Sequence, residues 1–170
     1  MGVQTERLPA EAESSQPLAT NLSWLLSQAS YTLATELTAG LERLGVSPRA
    51  YCVLTAAMAG EHTQTELAHM VGLDKTTMVV TIDELEAAGL AKRRPSSEDR
   101  RARVIAVTRT GERKVAQAEE IVERIQADVL HALPAEQRRS FVEALTRLVS
   151  DRLSTPAVCA HPVRRRAPRG

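Results

Sequence analysis

Aromatic residues are scarce in this 170-residue sequence, which contains only Trp24, Tyr31, Tyr51 and Phe141. Proteins that bind single-stranded nucleic acid stack the bases on aromatic side chains, and membrane proteins carry aromatic belts, so both classes are disfavoured. An all-β sandwich is disfavoured too, because strands favour aromatic and β-branched residues whereas this chain is rich in Leu, Ala, Glu and Arg. The composition therefore favours a soluble, mainly helical protein.

Cysteine, long apolar runs and catalytic motifs are scarce as well. Cys52 and Cys159 form neither a disulfide framework nor a metal-ligand spacing, and His62 and His69 add none. No segment approaches the roughly 20 apolar residues of a transmembrane helix, and residues 1–16 lack the apolar core of a signal peptide. The sequence has no Gly-rich phosphate loop and no nucleophile motif. These absences predict a cytoplasmic protein that is not an enzyme and has no metal, no cofactor and no membrane contact.

The charge is distributed unevenly, although the net charge is only +1. Residues 1–70 carry three basic and seven acidic side chains, whereas residues 89–109 carry seven basic and two acidic ones. Residues 161–170 add four arginines and no acid. Positive charge that is concentrated on one short segment of a near-neutral protein indicates a surface that binds an anion. A polyanion is one candidate.

Helical periodicity is strong towards both ends of the sequence. Leucine and alanine recur every three or four positions over residues 18–44, which predicts an amphipathic helix. The same period returns over residues 110–131, and Pro134 begins a last helix that carries Phe141. These apolar stripes are too extensive for one small domain to cover, so we expect the helices to pack together and against a second copy of the chain.

The middle of the chain has the pattern of a helix-turn-helix. Thr63 and Glu66 have the spacing of a capping box at the start of a helix that closes at Gly72. Asp74 is the predicted N-cap of a second helix, over residues 75–88. Two short helices joined by a tight turn that contains glycine are typical of this motif.

A two-stranded hairpin, or wing, is predicted directly after the second of these helices. Residues 103–108 are β-branched and apolar, residues 90–94 form the partner strand, and the residues between them are turn-rich. Arginines on a narrow hairpin can enter the minor groove of DNA, and we expect Arg100 at the tip to do so. Asp99 and Arg101 are expected to brace the hairpin, and Arg101 is also kept as a candidate DNA ligand. The candidates for phosphate contacts on the strands are Lys92, Arg93, Arg94 and Arg103.

A helix-turn-helix uses its second helix to read the DNA major groove, with the N-terminal residues nearest the base edges. The amides and dipole of that helix end also favour phosphate. The candidate reading residues are Lys75, Thr76, Thr77, Val79 and Val80.

Three segments carry a resemblance to a known family: Leu-Asp-Lys-Thr-Thr at 73–77, Leu-Glu-Ala-Ala-Gly-Leu at 85–90 and Glu-Asp-Arg-Arg-Ala-Arg at 98–103. They resemble the MarR family of winged helix-turn-helix transcriptional regulators, most specifically in the Asp-x-Arg pattern of the wing, and the resemblance extends more loosely over residues 17–152. It implies a dimeric regulator, usually a repressor, whose DNA binding is weakened by a small and often anionic ligand. Many members have an arginine at the position aligned with Val80. Base reading is therefore expected to rest on Thr76, Thr77 and apolar contact with thymine methyl groups.

Together these patterns predict a mainly α fold with a winged helix-turn-helix DNA-binding domain and a two-stranded β-wing over residues 47–109. N- and C-terminal dimerisation helices, over residues 17–46 and 110–153, flank this domain. Residues 1–16 are predicted to be a flexible N-terminus and residues 154–170 a disordered basic tail. The expected partners are pseudo-palindromic duplex DNA, a second copy of the chain and a small anionic or aromatic effector.

Several alternatives remain open. Trp24 and Tyr31 lie seven residues apart on one side of a helix, where they either line an effector cavity or pack in an ordinary way. Cys52 is expected to be a small buried thiol, the alternative being a cysteine-based redox sensor of the same fold. A winged helix that serves as a protein-interaction adaptor is the remaining alternative, and steep weakening of binding by salt would distinguish DNA binding from it.

Overall fold

A computed structural model describes residues 18–99 and 101–155 of the chain. The predicted N-terminal segment 1–16, Arg100, Cys159 and all but the first two residues of the predicted tail 154–170 lie outside the described residues. The described residues contain six α-helices and one two-stranded antiparallel sheet, which confirms the predicted mainly α, winged helix-turn-helix fold. The elements are α1 (Leu22–Leu41), α2 (Pro48–Met58), α3 (Gln64–Met70), α4 (Lys75–Ala87), β1 (Ala91–Pro95), β2 (Arg103–Val107), α5 (Arg109–His131) and α6 (Ala135–Ser150).

The starts of the central helices follow from side-chain caps. Ser47 Oγ accepts a hydrogen bond of 3.1 Å from the amide of Ala50 at the start of α2. At the start of α3, Thr63 and Glu66 form a complete capping box, in which each side chain accepts from the other residue's amide. Such caps satisfy amides that would have no partner inside the helix, and each helix therefore begins at the residue that follows its cap.

The first helix is shorter than its apolar stripe predicts. Asn21 Oδ1 accepts a hydrogen bond of 2.9 Å from the amide of Trp24, so α1 begins at Leu22 rather than at residue 18. At the other end, Glu42–Leu44 form a 3-10 helix that ends at Gly45. Tightening of the last turn into a 3-10 helix is a common way for a helix to end.

The helix-turn-helix is built on one apolar core. Val53 and Leu54 of α2, Leu67 of α3, and Met78 and Ile82 of α4 are all fully buried and belong to one cluster. The turn between α3 and α4 requires Gly72, whose φ of 65° lies in the left-handed region that side chains disfavour. The core fixes α4 against α2 and α3 and leaves the opposite face of α4 exposed.

The wing, defined as residues 91–107, pairs in register from Ala91 opposite Val107 to Pro95 opposite Arg103. Pro95 is the last residue of β1 rather than the residue that follows it, a position where the missing amide costs no central ladder bond. The loop before α3 joins the sheet, since the amide of Ile105 donates to the carbonyl of His62 at 3.0 Å. The wing is therefore attached to the helix-turn-helix along β2 as well as through the chain.

The junction of the wing with α5 is closely packed. Thr108 Oγ1 donates to the carbonyl of Gly89 at 2.7 Å and accepts from the amide of Gly111 at 3.0 Å. A Cβ atom on Gly111 would lie 2.1 Å from the carbonyl oxygen of Leu90, so only glycine fits there. Because Thr108 is the N-cap, α5 begins at Arg109, one residue earlier than the periodicity predicts.

Contacts divide the chain into two compact units, Met1–Glu36 and Leu37–Gly170. In the second unit, Leu41 packs with Ala118 and Val122 of α5 in a small cluster of their own. Helix α6 contains no buried residue, although it carries several large apolar side chains.

No helix in the described ranges has the length and apolarity needed to span a membrane.

Candidate nucleic-acid interface

The exposed face of α4 contains only some of the predicted reading residues. Lys75, Thr76 and Val80 are exposed, whereas Thr77 and Val79 are half-buried. Val80 keeps 48% of its surface accessible, a large value for a valine in a helix with a buried core face. Because residues four apart lie on one face of a helix, Thr76 and Val80 form one exposed strip, with Lys75 beside it at the N-terminus.

Thr77 belongs to the start of the helix rather than to its exposed face. Its amide donates to Asp74 Oδ1 at 2.9 Å and its hydroxyl donates to Asp74 Oδ2 at 2.6 Å. These hydrogen bonds, with that from the Thr77 hydroxyl the largest contribution, lower the pKa of Asp74. The Thr77 hydroxyl is thus already engaged, and the predicted contact between Thr77 and DNA stays a prediction with less support than those of Thr76 and Val80.

Arg93 on β1 is held inside the domain. Its Nη2 donates to Asp83 Oδ1 at 2.8 Å and to Gln64 Oε1 at 3.1 Å, and its Nη1 forms an ion pair with Glu86 Oε2. Its amide donates to Glu86 Oε1 at 2.7 Å. One side chain therefore ties β1 to α3 and to the C-terminal half of α4. This geometry favours an internal role for Arg93 over the predicted phosphate contact.

Arg94 is also engaged, by a residue that the sequence patterns did not single out. Glu61, in the loop before α3, forms an ion pair of 2.6 Å with Arg94. Its Oε2 also accepts from the amide and hydroxyl of Ser97 and from the hydroxyl of Ser96, each at 2.9 Å. These bonds, that from the Ser97 amide first and that from Arg94 next, lower the pKa of Glu61 to about 2. A carboxylate with a charged donor on one oxygen and neutral donors on the other anchors the outer part of the wing.

The remaining described basic groups of the wing point outward. Lys92, Arg101 and Arg103 are exposed and take part in no ion pair within the described ranges. Asp99 Oδ1 accepts a hydrogen bond of 2.8 Å from the amide of Arg101, which is the brace predicted for the hairpin turn. The predicted minor-groove residue, Arg100, lies outside the described residues. Of the described basic side chains on the wing, these three are the ones available to a polyanion.

Trp24 and Tyr31, the predicted effector residues, are both exposed, with 39% and 69% of their surfaces accessible. Their role in ligand binding stays a prediction.

The described residues contain no group of three His, Cys, Asp or Glu side chains close enough to hold a metal ion.

The prediction that Cys52 is buried is wrong, because Cys52 lies on the exposed side of α2. The buried residues of α2 recur every three or four positions, at Ala50, Val53, Leu54 and Ala57. Cys52 does not fit this spacing and therefore lies on another face of the helix. Neighbouring groups still desolvate the thiol enough to raise its pKa. A raised pKa lowers the fraction of reactive thiolate, which disfavours the redox alternative.

Comparison with known proteins gives matches to both the sequence and the fold. A family model described as the MarR family matches residues 44–102. The solved structure of the transcriptional regulator PA3341 is 30% identical, and the match covers 78% of this chain and 98% of that chain with a TM-score of 0.68. CouR from Rhodococcus jostii RHA1, bound to p-coumaroyl-CoA, is 26% identical and matches 85% of this chain and 99% of that chain with a TM-score of 0.72. A structure of the transcriptional repressor CouR bound to a 23-mer DNA duplex is 24% identical and matches 82% of this chain and 99% of that chain with a TM-score of 0.71.

These matches agree with the segments that the sequence analysis singled out. The family model spans the helix-turn-helix and the wing as far as residue 102. The most identical of the three structures is matched over almost its full length. The chain belongs to the MarR family of transcriptional regulators.

Proposed function

We propose that this protein is a homodimeric transcriptional regulator, acting as a repressor, that binds pseudo-palindromic duplex DNA. In this proposal α4 enters the major groove and the wing enters the minor groove. The observation that carries it is the exposed strip of Lys75, Thr76 and Val80 beside a wing whose Arg101 and Arg103 are exposed and form no ion pair within the described ranges. The binding of CouR to a DNA duplex supports the same conclusion.

The dependence of DNA affinity on salt tests this function. Each phosphate that a basic side chain neutralises contributes about 0.9 to the slope of log K against log salt concentration. We expect Arg101→Ala and Arg103→Ala to weaken binding to genomic operator fragments and to lower the slope by about one unit each. Binding that does not change with salt, or no binding to any genomic fragment, would favour the adaptor alternative.

Dimerisation is proposed from the exposed apolar face of α6. Phe141, Val142 and Val149 have 50%, 45% and 57% of their surfaces accessible, which is an unusual exposure for large apolar side chains in one helix. A second copy of the chain would cover this face, and two-fold symmetry would match a pseudo-palindromic operator. We assign residues 17–46 and 110–153 to this dimerisation region and residues 47–109 to DNA binding. Light scattering at micromolar concentration should give twice the mass of one chain, whereas a monomer would contradict the assignment.

The effector is proposed to be a small anionic or aromatic molecule. One CouR structure holds p-coumaroyl-CoA, a ligand that is both anionic and aromatic. Trp24 is the only tryptophan in the chain and is partly exposed, so its fluorescence would report binding nearby. A ligand that releases DNA without changing Trp24 fluorescence would argue against Trp24 and Tyr31 as its binding residues.

A further inference from the structure

The arginines of β1 hold the wing to the helix-turn-helix through carboxylates. Successive residues of a strand point to opposite sides, so Arg93 and Arg94 can meet different elements. Arg93 binds Asp83 and Glu86 of α4, whereas Arg94 binds Glu61 in the loop before α3. The two contacts therefore constrain the wing from two directions.

Arg93 has contacts that fix more than the position of its own side chain. Glu86 accepts from the Arg93 amide as well as from its guanidinium, so this carboxylate holds the backbone of β1. The same guanidinium donates to Gln64 on α3. The Arg93 side chain is 30% exposed and that of Glu86 is 32% exposed, so water screens this pair less than a fully exposed one.

We propose that Arg93 is a positioning residue for DNA binding, which acts through Asp83 and Glu86 to set the angle between the wing and α4. This inference rests on the proposed DNA-binding function. It follows that Asp83 and Glu86 strengthen the binding of a polyanion although they are acidic, because they hold the wing where its exposed arginines reach the duplex. A two-stranded sheet is only marginally stable without packing against other elements. Ala91 and Ile105 in the core supply that packing at the base of the wing, and the carboxylates add a contact that fixes its direction. Binding to rigid duplex DNA is tightest when both contacting elements are already in place.

The sign of the effect of neutralising Glu86 distinguishes this role from a phosphate contact. If Arg93 contacts DNA phosphate, Glu86→Gln releases the guanidinium and removes a repulsive charge, so affinity rises and the salt slope becomes steeper. If Arg93 positions the wing, Glu86→Gln weakens binding by about tenfold, as expected for the loss of one charged hydrogen bond, and the salt slope stays the same. The two roles therefore predict changes in opposite directions.

Glu84→Gln is the matched control for Glu86→Gln. Glu84 is exposed on the same helix and has no ion pair within the described ranges. The substitution removes the same charge from α4 without touching Arg93, so we expect equal or slightly tighter DNA binding. Asp83→Asn should weaken binding as Glu86→Gln does, but less, because Asp83 is the more exposed partner, at 58%.

The experiment measures the affinity of the full-length protein for an operator fragment across salt concentrations, together with hydroxyl-radical footprints. In the Arg93→Ala and Glu86→Gln complexes, the DNA should lose protection from cleavage where the wing lies and keep it where α4 lies. Thermal unfolding would identify a variant that fails to fold, and the Asp83→Asn protein then provides the same comparison. Unchanged or tighter binding of folded Glu86→Gln, or equal loss of both protections, would overturn the inference. A wild-type protein that binds no DNA would instead overturn the proposed function.

Discussion

Different interactions hold α4 and the wing, the two parts of the candidate interface. The inner face of α4 is fixed by apolar side chains that exclude water. Met78 and Ile82 are fully buried, and Leu85 is only 3% accessible. The base of the wing joins the same apolar core through both of its strands, whereas its outer part is fixed at the surface, by Glu61 and by the Arg93 ion pairs. A buried apolar contact carries no charge and responds little to pH or to moderate salt, whereas a surface ion pair depends on both. The reading helix is therefore the rigid part of the site, and the outer part of the wing is the part whose position responds to solution conditions.

The comparison also changes the meaning of the positive charge in residues 89–109. That segment carries seven basic side chains, which indicated a surface for a polyanion. Arg93 and Arg94 are engaged by three acidic side chains that lie outside the segment: Asp83, Glu86 and Glu61. Formal charge counted along a sequence therefore overestimates the charge that a ligand meets.

The largest effect should come from breaking the apolar support of α4. Ile82→Ala removes a fully buried side chain from the core and should lower the free energy of unfolding by about 2–5 kcal/mol. Val80→Ala on the opposite, exposed face is the matched control and should change it by less than about 0.5 kcal/mol. Urea unfolding followed by circular dichroism measures both. Similar losses in the two variants would show that α4 is not held by its buried face.

The features that the sequence predicted correctly depend on residues close together in the chain. The caps at Thr63 and Asp74 join residues three apart, and the strands of the wing follow from local composition. The contacts that it missed are long-range, such as Ser97 with Glu61, 36 residues apart, and Arg93 with Gln64, 29 residues apart. An arginine in a basic run has the same local pattern whether it faces DNA or a carboxylate of the same chain. For this reason the sequence placed Arg93 and Arg94 in the interface but could not show that both have partners.

A smaller effect is expected at the base of the wing, where the support is a hydrogen bond to the backbone. Thr108→Ala removes the N-cap of α5 and the bond from the Thr108 hydroxyl to Gly89. The free energy of unfolding should fall by about 1 kcal/mol, the usual cost of losing a threonine N-cap. Thr110→Ala is the control, because the Thr110 hydroxyl has only a long contact of 3.3 Å with Arg113. If the two variants are equally stable, the cap of α5 contributes nothing to holding the wing.

The contact proposed for the exposed strip of α4 should have a smaller effect again, and one confined to DNA binding. Val80 offers methyl groups rather than a hydrogen-bond donor, and thymine carries a methyl group in the major groove. Replacing the facing thymine by deoxyuridine should weaken binding by about 0.8 kcal/mol, or about fourfold in Kd, for one methyl group. The Val80→Ala protein should be much less sensitive to the same replacement. Equal sensitivity of the two proteins would mean that Val80 does not read this methyl group.

The smallest effect on overall stability should be the acid response of Glu61, which is exposed to solvent but anchors one end of the wing. Its pKa is lowered from 4.5 to about 2 in the folded protein, so the carboxylate stabilises the fold fully above pH 4.5 and progressively less as the pH falls towards 2. The amide resonance of Ser97, which donates to Glu61, should therefore titrate near pH 2, and Glu61→Gln should abolish that titration. If Glu61 did not hold the wing, the Ser97 amide resonance of the wild-type protein would instead report a Glu61 titration near pH 4.5. The outer part of the wing would then depend more on Arg93, and the losses expected from Glu86→Gln should become larger.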